Sequence, residues 1–110
     1  MEGRPFSLAE IVTDVRPFEL NAAQKGLAFI KDIPSDIWGG TLAGDRFRLR
    51  QVLANFLSNA IKFTATGSVT LRLRSSAGNN PQELIVTFAV QDTGIGIKPE
   101  LISALFTPFQ

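Results

Sequence analysis

The chain has 110 residues and a mass of 12.0 kDa, with 45% apolar and 19% charged side chains, which suits one globular domain and does not point to disorder. It contains no cysteine and no histidine, which removes disulfides, thiolate chemistry and any Ser-His-Asp arrangement. Eleven basic against ten acidic residues leave a net charge of +1, too little to draw in nucleic acid, and the longest apolar run, four residues at 27–30, is far short of a membrane span or a signal peptide.

In chain order, Ser7 followed by Glu10 fits a capping box, and Leu8, Ile11, Val12, Val15, Phe18 and Ala22 continue with helical spacing to a stop at Gly26. Pro17 interrupts that pattern and predicts a kink or a helix broken in two, since a proline inside a helix costs about 3 kcal/mol. Residues 27–33 read as a strand and 34–40 as a connecting loop. Asp45 is an N-cap for a second helix running to about Thr64, with Gly67 just beyond it. Residues 68–75 alternate, with Val69, Leu71 and Leu73 on one face and Thr70, Arg72 and Arg74 facing water. A turn cluster at 77–82 predicts an antiparallel hairpin with the next strand, 83–91, whose Leu84, Val86, Phe88 and Val90 share a face. Residues 92–97 cannot continue that strand, and Pro99 predicts the start of a short helix. Two helices and about four strands make an α+β domain, a two-layer sandwich with the helices on one face of a mixed, mainly antiparallel sheet.

On the second helix, Leu49, Leu53, Phe56, Leu57 and Ala60 fall within about 100° and form a core stripe. Asn55, Asn59 and Lys62 cluster within about 60°, well off that stripe. Asparagine is a poor helix former, so two of them one turn apart read either as a solvated face or as a metal-triphosphate site. An amide oxygen is a hard neutral ligand for Mg²⁺, and a lysine supplies a point charge for phosphate. The turn DTGIGI at 92–97 reads either as a strand-ending turn or as a loop that lets backbone approach a flat ring beside an ionised acceptor. Arg46, Arg48 and Arg50 read as a solvated, ion-paired helix start rather than a phosphate patch.

Taken together, residues 45–64 (DRFRLRQVLANFLSNAIKFT) resemble the N box of the ATP-binding domain of sensor histidine kinases, in the superfamily of DNA gyrase B, the ninety-kilodalton heat-shock chaperones and the MutL-type ATPases. Residues 90–97 (VQDTGIGI) resemble its first glycine box, and 105–110 (LFTPFQ) the start of its phenylalanine box, although Thr107 replaces the usual acidic residue. Residues 6–33 are similar to the family's opening strand, helix and strand. The resemblance implies ATP and Mg²⁺ as ligands. It implies Asn59 as the metal's side-chain ligand, Asn55 in the same pocket, Lys62 on phosphate, and Asp92 accepting from the adenine amino group, with Gly94, Gly96 and Ile97 against the base.

The implied partners are a histidine-containing dimerisation domain and the receiver domain of a response regulator. The implied setting is cytoplasmic, with anchorage of the parent kinase in the inner membrane left open. Family members continue into a lid and a second glycine box, neither of which this sequence contains. The expectation is therefore a C-terminally incomplete piece, inactive alone, with Phe106 and Phe109 exposed and an uncovered sheet edge open to self-association. The alternative is a truncated non-catalytic module acting through protein contacts.

Overall fold

A computed structural model describes residues 5–93 and 99–107. The chain opens with a two-residue strand, β1 (Phe6–Ser7), and enters helix α1 (Leu8–Gln24) through the predicted capping box. The Ser7 backbone N–H donates to Glu10 Oε2 at 2.7 Å, and the Glu10 N–H donates to Ser7 Oγ at 3.2 Å. Such a box satisfies two of the amides that a helix start leaves unpaired. The helix buries Leu8, Ile11, Val15 and Ala22 and runs as one piece through Pro17, so the break into two helices does not occur. Pro17 and Thr13 are both exposed, and water can serve the Thr13 carbonyl that lacks its helical donor.

Strand β2 (Ala28–Asp32) follows the left-handed Gly26, and a 3-10 turn (Ser35–Ile37) plugs Ile37 into the core. A short strand, β3 (Thr41–Ala43), lies in a stretch that carries no strand signal in the sequence. Helix α2 (Arg46–Phe63) is capped by Asp45, whose side chain accepts from the Arg48 N–H at 3.1 Å. Its buried face is Leu49, Leu53, Leu57, Ala60 and Ile61, with Phe56 half-buried beside them. The hairpin of β4 (Ser68–Ala77) and β5 (Leu84–Asp92) sets Leu71 opposite Val90 and Leu73 opposite Phe88. All four are buried under the helices, at roughly 1.5–3 kcal/mol of hydrophobic stabilisation for each large side chain.

The last strand, β6 (Glu100–Thr107), replaces the short helix expected after Pro99. It pairs antiparallel with β5 on one side and β3 on the other, giving one six-stranded sheet in the order β1-β3-β6-β5-β4-β2. Among the described residues, β2 and β4 are the one strand pair that runs parallel. Local sequence favoured a helix start at Pro99, but β5 presents a row of backbone donors and acceptors that only another strand can satisfy. Pairing drives Phe106 into the core at 1% exposure, which corrects the expectation that it is exposed; Phe109 lies outside the described residues. It also fills the open side of the hairpin, leaving β2 and the two-residue β1 as the outer strands. Among the described residues, no helix is long and apolar enough to cross a membrane.

Among the described residues, ion pairs link neighbouring elements at three places, one of them Lys31 Nζ on Glu19 Oε1 at 3.2 Å, which joins β2 to α1. Arg46 forks onto Asp14, with Nε and Nη2 at 3.1 and 3.0 Å from its two carboxylate oxygens, and reaches Glu10 Oε1 through Nη1 at 3.1 Å. This ties the start of α2 to α1, as an ion-paired helix start rather than a phosphate site, and the Asp14 hydrogen bond raises the guanidinium's pKa. On the outer face of the sheet, Arg72 and Arg74 do not simply project into water: both bind Asp32 Oδ2, at 3.0 and 2.9 Å, linking β4 to β2. These hydrogen bonds, Arg74's foremost, hold the Asp32 carboxyl below its ordinary range.

A group whose pKa is lowered by folding stabilises the native state above its unfolded pKa, and that contribution disappears as pH falls through the folded value. Asp32→Asn should therefore lower the urea midpoint at pH 6, with the difference from wild type shrinking below about pH 4. A gap between the two proteins that persists undiminished at pH 2.5 would show that the pair acts through something other than charge.

One glycine is required by space as well as by conformation. Gly67 has φ +111°, and a Cβ there would collide with the Thr93 side chain, whereas Gly44 has φ +123° but open space around it. Gly67→Ala should cost about 1–3 kcal/mol from strain and displacement of Thr93, and clearly more than Gly44→Ala. Urea titration of the two variants decides this; equal losses would mean that the contact with Thr93 carries no weight.

Candidate functional site

The polar flank of α2 carries the residues singled out by the sequence. Asn55 is exposed, Asn59 half-buried and Lys62 exposed, and the three lie on the side of the helix away from its buried stripe. Neither asparagine's side-chain amide makes a hydrogen bond among the described residues; Ser58 Oγ bonds the Asn55 backbone carbonyl instead, at 3.1 Å. The Lys62 ammonium sits 5.4 Å from the centre of the Phe63 ring. Further back on the same flank, Arg48, Gln51, Val52, Asn55 and Phe56 line an open hollow of about 480 Å³. These amides and the ammonium are thus held on a rigid helix yet not consumed by the fold.

Asp92, half-buried, closes β5 opposite Val69. The next residue ties the end of β5 to the exit of α2. The Thr93 N–H donates to the Ser68 carbonyl at 3.1 Å, and the Ser68 N–H donates to Thr93 Oγ1 at 3.0 Å. Thr93 Oγ1 also reaches the Thr66 carbonyl at 3.5 Å. The Gly67 carbonyl meanwhile accepts from the Ala28 N–H at 3.0 Å, bringing in the start of β2. Lys62 and Asp92 therefore belong to the same end of the sandwich. Gly94, Gly96 and Ile97 lie outside the described residues.

The exit of α2 is built without a left-handed cap. Its C-cap residue, Thr64, is extended, at φ −107° and ψ 111°. The carbonyls left over are taken by side chains: Ala60 by the buried Thr64 hydroxyl at 2.7 Å, and Ile61 and Lys62 by the Lys25 ammonium at 2.6 and 3.2 Å. Nothing in the local sequence marks Lys25, because its partners are 36 and 37 residues away.

Among the described residues there is no cluster of three or more His, Cys, Asp or Glu side chains. Asn59 offers one uncommitted hard oxygen. Mg²⁺ ordinarily takes one or two protein ligands and completes its shell with water and substrate phosphates, so this donor set fits that ion as a partner of a bound triphosphate.

Comparison with known proteins agrees with this architecture. The sequence profile of the histidine kinase-, DNA gyrase B-, and HSP90-like ATPases matches residues 44–110. Hybrid signal transduction histidine kinase A of Dictyostelium discoideum is 37% identical over 99% of this chain, and the sensory/regulatory protein RpfC of Xanthomonas campestris is 34% identical over 100%. The chain spans only 5% and 15% of those two proteins. Among solved structures, full-length ShkA in complex with AMPPNP superposes with a TM-score of 0.63 and 29% identity, over 89% of this chain and 20% of that one. With a matching profile over more than half its length, the chain belongs to the histidine kinase-, DNA gyrase B-, and HSP90-like ATPase family.

Proposed function

We propose that this chain is the nucleotide-binding part of an ATP-dependent protein-histidine kinase of a two-component system. It would act on the cytoplasmic side and supply the ATP phosphoryl group to a histidine on a dimerisation domain, from which a response-regulator receiver domain takes it. These 110 residues contain no histidine, so the acceptor belongs to another segment. The observation that carries the reading is the uncommitted Asn55, Asn59 and Lys62 flank, tied through Thr66, Ser68 and Thr93 to the strand end that bears Asp92. The relative ShkA, solved with AMPPNP, supports a nucleotide as the ligand.

In this reading Asp92 accepts from the adenine amino group and fixes the base, with Gly94, Gly96 and Ile97 against its ring. Lys62 binds phosphate oxygens as a point charge, and Asn55 lines the same pocket. Asn59 holds Mg²⁺, which when bound neutralises charge on the phosphates. Phosphoryl transfer depends mainly on positioning and charge neutralisation, so residues presented on a rigid helix suffice for the protein's share.

Titration calorimetry with ATP and with adenosine separates the roles. Asp92→Asn replaces an acceptor by an amide that can present a donor to the adenine amine, a mismatch of about 1–3 kcal/mol or more. It should weaken ATP and adenosine alike by at least about fivefold, since 1 kcal/mol is about a factor of five. Lys62→Met should weaken ATP and spare adenosine, and Asn59→Ala should remove the Mg²⁺ dependence of ATP binding. Lys62→Met and Asn59→Ala should not move the urea midpoint appreciably. Unchanged ATP affinity in all three variants would reject the site.

A further inference from the structure

From the packing at the exit of α2 we infer that Lys25 is a positioning residue for phosphate binding, acting on the ligand only through the last turn of α2. The inference rests on the reading of Lys62 as a phosphate contact. Lys25 closes α1 in the right-handed helical region, and Gly26, at φ +83°, turns the chain away behind it. Its ammonium donates to the Ile61 and Lys62 carbonyls at 2.6 and 3.2 Å, so two of its three N–H groups are directed at the end of the helix. A cation there also complements the negative end of the helix dipole.

The last four carbonyls of any helix lack intrahelical donors, and a left-handed glycine commonly closes them. Here that closure is absent, because Thr64 is extended. The turn carrying Lys62 is held instead by the Thr64 hydroxyl on one carbonyl and by Lys25 on the next two. Lys62 lies in this final turn, the part of a helix most prone to fray. Asn59 lies a turn earlier, where the helix's own hydrogen bonds hold it. Losing the Lys25 ammonium should therefore disturb the phosphate end of the site far more than the base end, where Asp92 is held to β4 by its pairing with Val69 and by the Thr93–Ser68 hydrogen bonds. The effect follows population arithmetic: if the turn is formed only about one-fifth of the time, apparent affinity for a ligand that needs it falls about fivefold.

The test uses the intact protein and four variants: Lys25→Met, which keeps length but removes the donor; Lys25→Arg, which restores a cationic donor; Lys25→Gln, a polar fallback if the methionine variant is unstable; and Lys62→Met. Lys25→Met, or Lys25→Gln in its place, should raise the dissociation constant for ATP about fivefold and leave that for adenosine unchanged. Amide hydrogen exchange should accelerate in residues 61–66, and Lys25→Arg should reverse both effects. Equal weakening of ATP and adenosine without rescue by arginine would mean general destabilisation and overturn the inference. Wild-type ATP affinity in Lys25→Met alongside weakened binding in Lys62→Met would overturn it too, while sparing the phosphate site. Wild-type affinity in both would overturn the phosphate reading of Lys62 and this inference with it.

Discussion

The arrangement of the two candidate ligand-binding segments depends on one tight junction at Gly67. Four segments meet there: the exit of α2, the first residue of β4, the end of β5 and the start of β2. The Thr93 side chain occupies the space that any residue but glycine would need, and the backbone has the positive φ that glycine tolerates best. Thr93 can thus bond Ser68 and approach the Thr66 carbonyl. The helix bearing Asn59 and Lys62 and the strand ending at Asp92 acquire a fixed spatial relation through the Thr93 side chain and the backbone around Gly67, without drawing on the side chains of Asn59 and Lys62. That leaves the amides and the ammonium of the α2 flank available for a ligand.

Helix α2 is gripped by α1 at both ends, in two different ways. At its start Arg46 forms a bidentate pair with Asp14, whose side chain is only 9% exposed, and adds Glu10. At its exit Lys25 takes two carbonyls. Between these points the apolar stripe from Leu49 to Ile61 fixes the helix's rotation over the sheet, because turning it would expose several leucines together. Rotation and end-anchoring combine to hold the polar flank outward. The three arginines near the helix start accordingly divide their work: Arg46 is consumed by the fold, Arg50 lies 5.2 Å from the centre of the Phe47 ring, and Arg48 borders the open hollow.

How much of this was legible in the sequence depends on the range of the interaction. The Ser7–Glu10 box, the Asp45 cap and the alternation of Val69, Leu71 and Leu73 are set by residues within a few positions of each other, and each appears as read. The off-stripe position of Asn55, Asn59 and Lys62 was legible too, since it needs only the period of the helix. Strand β6 was not. Its sequence is locally ambiguous, and pairing with β5 and β3 decides its state. The unbroken run through Pro17 was missed because the cost of a mid-helix proline depends on whether water reaches the freed carbonyl. Gly67 reads in sequence only as a helix stop; its close approach to Thr93, 26 residues on, has no local signature. The grip of Lys25 on α2 was hidden for the same reason.

The donor set also bears on the order in which ligands would assemble. Apo sites for divalent cations are built from several carboxylates, whose charge offsets the heavy dehydration cost of a small ion. The described residues hold no such cluster, and the flank of α2 offers neutral amides and a cation. A lysine on the same flank as Asn59 would disfavour a bare cation there, yet both charges become favourable once a polyanion lies between them. On the proposed reading, then, metal and triphosphate enter as one unit, with the negative charge supplied by the ligand rather than by the protein. The protein contributes geometry, namely a helix whose rotation is fixed by its leucines and whose last turn is held by Lys25. On that reading a chain of nearly neutral net charge would suffice for a highly charged ligand, because the ligand brings its own counter-charge.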